Sequence, residues 1–240
     1  MSVNLTLLFA AFARHERPAD EVLRAVVSYA DYLAPPPGTP PGTGSPPGEV
    51  WVYTDAAAVD RAQAAGSDVG PLTPGHAGTD LFADPPAGRT AVRINPVSLP
   101  HLGWNVPREA FDTLRAWVTC VHFERQVAGW ARGGGVALAA LVAYRHFQAY
   151  LMPNKAVLTM PNQHGLANAA VVLTAPDCGR ALLAQVPADM RAKLTAVFIS
   201  GAELVDKLPD QGVDGLILNP AGPGPTCPVR LTAPGPQVVG

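Results

Sequence analysis

Three side chains in this sequence have a type and setting from which chemistry could start. Cys178 follows Pro176–Asp177 at a predicted helix N-terminus. The positive end of a helix dipole lowers a thiol's pKa there, and the thiolate is the nucleophile. No histidine lies near it to act as base, and Asp177 disfavours the thiolate, so packing is the stronger reading. His164 sits in the polar stretch Pro161–Asn168, a loop of the kind that carries binding groups, although a plain turn is the stronger reading. Arg93 stands two residues before Asn95–Pro96 and is the third binding candidate.

Other combinations fail on spacing. Cys120 and His122 are two apart and cannot share a helix face. Gly133–Gly134–Gly135 lacks the Lys–Ser/Thr ending of a phosphate loop and follows no strand. The three cysteines, Cys120, Cys178 and Cys227, are odd in number and widely spaced, which gives neither a disulfide framework nor a zinc pattern. The sequence therefore assigns no catalytic residue, no cofactor and no metal site, and the expectation is a protein that is not an enzyme.

Positioning is where the sequence speaks, because it says the same thing twice. Ala91-Val-Arg-Ile-Asn-Pro96 is echoed by Gly215-Leu-Ile-Leu-Asn-Pro220, Val52-Tyr-Thr-Asp55 by Val172-Leu-Thr-Ala175, and Leu23 to Pro35 resembles Leu138 to Pro153. The pairs fall in one order at slowly drifting offsets. The period is too long for a solenoid repeat and fits two copies of one small domain. A residue before proline is pushed out of the helical region, and an Asn side chain can bond to nearby backbone. Asn95–Pro96 and Asn219–Pro220 thus read as structural stops for one buried strand in each copy.

The expected fold is α/β: two tandem, related small α/β domains joined by a long helix. Residues 1–106 form the first domain, 107–135 the connecting helix and Gly linker, and 136–240 the second domain with its Pro-rich tail. In the first, helical spacing predicts a helix over 19–33, a surface loop over 35–48, a strand over 49–54, a helix over 56–65, a Gly/Pro-rich stretch over 66–78 and a strand over 90–94. In the second, helix 136–150 precedes strands at 156–160 and 170–173, a helix from Pro176, strand 196–199 and a helix capped by Ser200 with Glu203 as a capping box. Strand 216–218 follows, and 229–231 could add an edge strand.

Composition narrows the partners. With 48% hydrophobic and 15% charged residues the chain can bury two cores. A net charge of −2 offers no basic field for nucleic acid. The apolar run Leu5–Phe12 lacks the preceding positive residues of an export signal and is too short to span a bilayer, so it reads as a packing element. The expectation is a cytoplasmic protein with no membrane partner.

The second copy resembles the SseB-like domain family. That family's pattern runs from a "phe/leu-Thr-ser" strand end to a terminal "gly-leu-val-x-Asn-Pro-gly". Leu173–Thr174, the step Ser200-Gly-Ala-Glu203-Leu204, and Gly215-Leu-Ile-Leu-Asn-Pro220 carry the likeness. The first copy matches at Thr54 and Asn95–Pro96; its counterpart of the Ser–Gly step is not visible, with Thr79–Phe82 in its place. The resemblance implies a small α/β unit in bacteria, associated with secretion or toxin systems, with no catalytic activity to transfer. It implies an adaptor, chaperone or immunity-type factor that binds another protein, and leaves self-association open. The alternative is a small-ligand binder or enzyme using the cleft between the two domains.

Overall fold

Four short apolar runs ending in Thr or Asn–Pro become two pairs of parallel strands, and the rest of the chain is arranged around them. The computed structural model describes residues 4–36, 38–39, 44–83, 90–99, 101–231 and 236–239. The chain divides into two compact units, Met1–Val121 and His122–Gly240, each mixed α/β. The boundary falls inside the longest helix, α5 below.

Unit one contains α1 (Leu5–Ala13), α2 (Ala19–Ser28), β1 (Tyr32–Ala34), β2 (Glu49–Val52), α3 (Ala56–Ala64), β3 (Thr73–His76), α4 (Gly78–Ala83), β4 (Ala91–Ile94), β5 (Trp104–Pro107) and the start of α5 (Phe111–Ala131). Its centre is the parallel pair β2–β4, in register from Glu49↔Ala91 to Val52↔Ile94. β5 lies antiparallel on β4, a single bridge Leu33↔Tyr53 joins β1 to β2, and β3 lies antiparallel on β1. The order is β3-β1-β2-β4-β5. Tyr53, Ala58, Ala62 and Val69 form a buried cluster on the α3 side.

Unit two contains the rest of α5, then α6 (Leu138–Ala143), β6 (Phe147–Leu151), β7 (Thr159–Gln163), β8 (Leu166–Leu173), α7 (Pro176–Gln185), α8 (Ala188–Arg191), β9 (Thr195–Ile199), α9 (Gly201–Lys207), β10 (Gly215–Leu218), β11 (Cys227–Arg230) and β12 (Gln237–Val238). The parallel pair is β8–β10, with Val172↔Leu218 at its end. β11 and β12 extend it on one side, and β6 and β9 on the other. The order β9-β6-β8-β10-β11 repeats that of unit one, with β12 and the β7–β8 hairpin added. Phe123, Val127 and Trp130 of α5 enter a core with Tyr144, Phe147, Val172, Leu204 and Leu216. The Phe123 and Tyr144 rings stack at 4.2 Å.

Two predicted helices are too long. The helix expected over 19–33 ends at Ser28, and 32–34 is β1; the helix expected over 136–150 ends at Ala143, and 147–151 is β6. Both break at a tyrosine in extended conformation, Tyr29 at ψ 134° and Tyr144 at ψ 125°. Each carbonyl there accepts a long-range hydrogen bond, from Gly78 N–H in one unit and Gly201 N–H in the other, both 2.7 Å. A short helix running into a short strand keeps enough apolar spacing to pass for one helix.

The Gly/Pro-rich stretch 66–78 contains β3, and Trp104–Pro107 forms an unforeseen strand. The strand expected over 156–160 moves to 159–163, leaving Val157 in a lone bridge with Leu151. Pro161–Asn168 is a β-hairpin: Gln163 pairs with Leu166, and His164 (φ 51°) and Gly165 (φ 71°) make the two-residue turn that needs positive φ at both positions. The strand at 229 is interior rather than an edge, because β12 pairs with it. The Ser200–Glu203 capping box is present, and 5–13 is a helix. Residues 37 and 40–43 of the predicted 35–48 loop, and 232–235 of the tail, lie outside the described residues. Among the described residues no helix is long and apolar enough to cross a membrane.

Candidate functional site

At the end of each parallel pair the next residue must leave the sheet without stranding a backbone group. Asn95 solves this in unit one. Its own N–H donates to Val52 O at 2.9 Å, continuing the ladder. Its backbone then turns at φ 50°, and its Oδ1 accepts the Thr54 N–H at 2.9 Å where the next carbonyl would have been. Asn219 repeats this in unit two: N–H to Val172 O at 2.9 Å, φ 48°, and Oδ1 accepting Thr174 N–H at 2.9 Å. Asn tolerates the left-handed region better than most residues and mimics a peptide carbonyl. The Thr carbonyls are met as well. The Tyr29 hydroxyl donates to Thr54 O at 2.7 Å, and the Tyr144 hydroxyl to Thr174 O at 2.6 Å. All four residues of these two Thr–Asn pairs are buried. The polar atoms of the Asn side chains are consumed by this clamp.

Around the clamp the units differ. In unit one Asn95 Nδ2 donates to Thr54 Oγ1 at 3.0 Å and Leu102 O at 3.2 Å, with Thr6 Oγ1 of α1 at 3.5 Å. In unit two a carboxylate stands beside the clamp: Glu124 of α5, only 6% exposed, accepts from the Thr174 hydroxyl. Cys178 Sγ lies 3.9 Å from Glu124 Oε1 and from Thr174 Oγ1. Cys178 does sit in the first turn of α7, as expected, but it is fully buried. Gly222 packs directly on it, so closely that a Cβ at 222 would come within 2.8 Å of the sulfur. Such a thiol presents no face to a substrate. Cys120 and Cys227 are buried and form no disulfide, and burial pushes the Cys227 thiol up to about 11.

The structure separates the predicted residues into three places. Asn219, Pro220 and Cys178 belong to the unit-two clamp and its cover. His164 is exposed at the β7–β8 turn, where the neighbouring Gly165 carbonyl accepts Arg230 Nη2 at 2.8 Å. Arg93, Asn95 and Pro96 line one cavity in unit one, of about 240 Å³, with Val97, Leu99 and Trp104. It opens where β4 ends and β5 begins, the C-terminal end of the parallel pair, which is where open α/β sheets place ligands.

The chemistry of that cavity is apolar with a polar margin. Val97 and Leu99 are 50% and 60% exposed. Val97 adopts φ 63°, a conformation that a β-branched residue rarely takes and that costs about 1–3 kcal/mol. Strain of this kind clusters at active sites and ligand clamps. On the outer face of β4, Arg93 reaches Glu49 Oε1 at 2.8 Å and lies across from Asn105 on β5. Val97, Leu99 and Trp104 were not picked out from the sequence; the available signal was two apolar residues in the loop directly after Asn–Pro, where unit two has Ala–Gly–Pro. Among the described residues no three His, Cys, Asp or Glu side chains cluster as metal ligands would.

No family model, curated protein or solved structure matches this chain.

Proposed function

We propose that this chain is a non-catalytic binding protein, SseB-like in its repeated Thr and Asn–Pro strand ends, which acts in a bacterial cytoplasm as an adaptor, chaperone or immunity-type factor. In this reading the two units are copies of one ancestral module. The common strand order, the matched Thr–Asn clamps and the Tyr–Thr bonds at corresponding positions support it. One observation carries the functional reading: the 240 Å³ cavity rimmed by exposed Val97 and Leu99. Small-molecule sites run from about 300 to 1,000 Å³ and enclose their ligand. A smaller apolar recess with an exposed apolar lip suits one or two side chains of a partner protein, inserted as an anchor. Arg93, Glu49 and Asn105 then supply the polar margin that such interfaces carry.

The test is affinity capture from the native organism with three baits: wild type, Leu99→Asp and Phe198→Lys. A partner that binds wild type and Phe198→Lys but is lost with Leu99→Asp supports the reading. A partner retained by Leu99→Asp, or no partner above background, removes it.

A further inference from the structure

The outermost strand of unit two is unprotected. β9 ends the sheet order β12-β11-β10-β8-β6-β9, and among the described residues no strand pairs with its outer side. Its sequence, Thr195-Ala-Val-Phe-Ile199, has no charge, proline or glycine. Phe198 is 73% exposed, the most exposed of the chain's large apolar side chains among the described residues. α7 covers the same sheet face over Gln148 and Tyr150, since a Cβ at Gly179 would lie 2.6 Å from Gln148 Oε1 and 2.9 Å from the Tyr150 hydroxyl. Phe198, paired with Gln148 across the sheet, stands clear of that cover.

The matching edge in unit one shows what protection looks like. β3 is Thr73-Pro-Gly-His76: Pro74 removes a donor, Gly75 turns the backbone to φ 84°, and its register with β1 is irregular. These are the devices by which natural sheets block edge pairing. β9 occupies the same place in the strand order and has none of them.

We infer that β9 is a self-association edge, pairing antiparallel with β9 of a second copy of this chain about a two-fold axis through Val197. In that register each Phe198 faces the partner's Ala196, a small residue that leaves room for the ring, and Thr195 faces Ile199. Val197 meets its own copy, a favourable β-branched pair. Under this two-fold only the axial residue meets its own copy, and an uncharged Val197 there brings no like-charge repulsion. Lys193, the nearest flanking charge, falls opposite Gly201. Five residues a side bury well under the roughly 1,200 Å² of a standard interface, so the dimer is weak and concentration-dependent.

Sedimentation equilibrium over two decades of protein concentration tests this, alongside amide hydrogen exchange at both ends of the range. The expected result is a mass rising from monomer towards dimer, with exchange at 195–199 slowing as it rises. Phe198→Lys and, independently, Ala196→Lys each weaken association roughly tenfold or more, while Leu99→Asp leaves it unchanged. Both substituted positions are exposed, and far-UV circular dichroism checks the fold; where one variant misfolds the other decides. A monomer at every concentration, a dimer indifferent to both lysine variants, or a dimer without added protection at β9 overturns the inference. None of these outcomes bears on the Leu99 cavity.

Discussion

Replacing Asn219 with alanine separates the two things this residue does. The side chain is fully buried, and its Oδ1 accepts the Thr174 N–H at 2.9 Å. Removing it strands a buried donor, which costs about 1–3 kcal/mol. The backbone at φ 48° adds about 1–2 kcal/mol when a Cβ without a hydrogen-bonding side chain must occupy it. Loss of the Nδ2 bond to Thr174 Oγ1, 2.9 Å, is smaller because that hydroxyl still has Glu124. The sum is about 2–5 kcal/mol, a large part of what holds a domain of this size together. Asn219→Gly loses the same hydrogen bonds as alanine but escapes the conformational penalty, so it is expected to cost about 1 kcal/mol less.

Asn95→Ala is expected to fall in the same range, since Leu102 O also loses its Nδ2 donor at 3.2 Å. Urea titration followed by circular dichroism gives the total. Hydrogen exchange read by mass spectrometry assigns it to a unit: Asn219→Ala raises exchange in β8 and β10, and Asn95→Ala in β2 and β4. An Asn219→Ala variant within about 0.5 kcal/mol of wild type refutes the clamp. So does a glycine variant as unstable as the alanine, which removes the backbone half of the argument.

Three further outcomes follow from the same geometry. Gly201→Ala puts a Cβ 1.7 Å from Leu141 O, and Gly78→Ala puts one 2.3 Å from Val26 O; because the obstacle is backbone, each is expected to cost about 3 kcal/mol or more, read as a fall in thermal midpoint. All three cysteines are buried, so a water-soluble thiol reagent at pH 8 should label none of them until denaturant is added, and fast labelling of Cys178 in the native protein would contradict its place under Gly222. Bonds from Lys207 and then from the Ser200 backbone and hydroxyl hold Glu203 at about 2, below its ordinary 4.5. A depressed carboxylate gives stability that is present above pH 4.5 and lost as pH falls towards 2, so Glu203→Gln should lose less between pH 5 and pH 2.5 than wild type does in denaturation midpoint.

How much of this was legible turns on how far each hydrogen bond reaches along the chain. Asn95–Pro96 and Asn219–Pro220 could be read as strand ends because proline and Asn act on their immediate backbone. The capping box at Ser200–Glu203 is equally local. The ends of α2 and α6 could not be read, because what stops them is a tyrosine whose hydroxyl bonds a Thr carbonyl 25 residues on in one unit and 30 in the other. Gly78 hid for a related reason. Unit two marks this point with a Ser–Gly–x–Glu cap, and the sequence of unit one has none there. What the units share at this point is a glycine whose N–H reaches the tyrosine carbonyl with no room for a side chain. The cavity was illegible because Val97 and Leu99 follow no period, and a positive φ at valine is something no propensity would suggest.

Under the proposed duplication, function lies where the units differ. The parts that agree between the units are each accounted for by backbone satisfaction: Asn Oδ1 for a Thr N–H, Tyr hydroxyl for a Thr carbonyl, Gly N–H for a Tyr carbonyl. Any copy of the module needs them to fold, whatever it binds, which is why the repeated motif is poor evidence of a site. The parts that differ have no such excuse. Unit one spends strain on Val97 and exposes Leu99 where unit two has Gly222 and Gly224 packed onto Cys178, Glu124 and Asn219. Unit two leaves Phe198 bare on an edge that unit one blocks with Pro74 and Gly75. Each unit therefore exposes apolar surface where the other has closed it, which is the pattern expected when one copy turns towards a partner protein and the other towards its own kind.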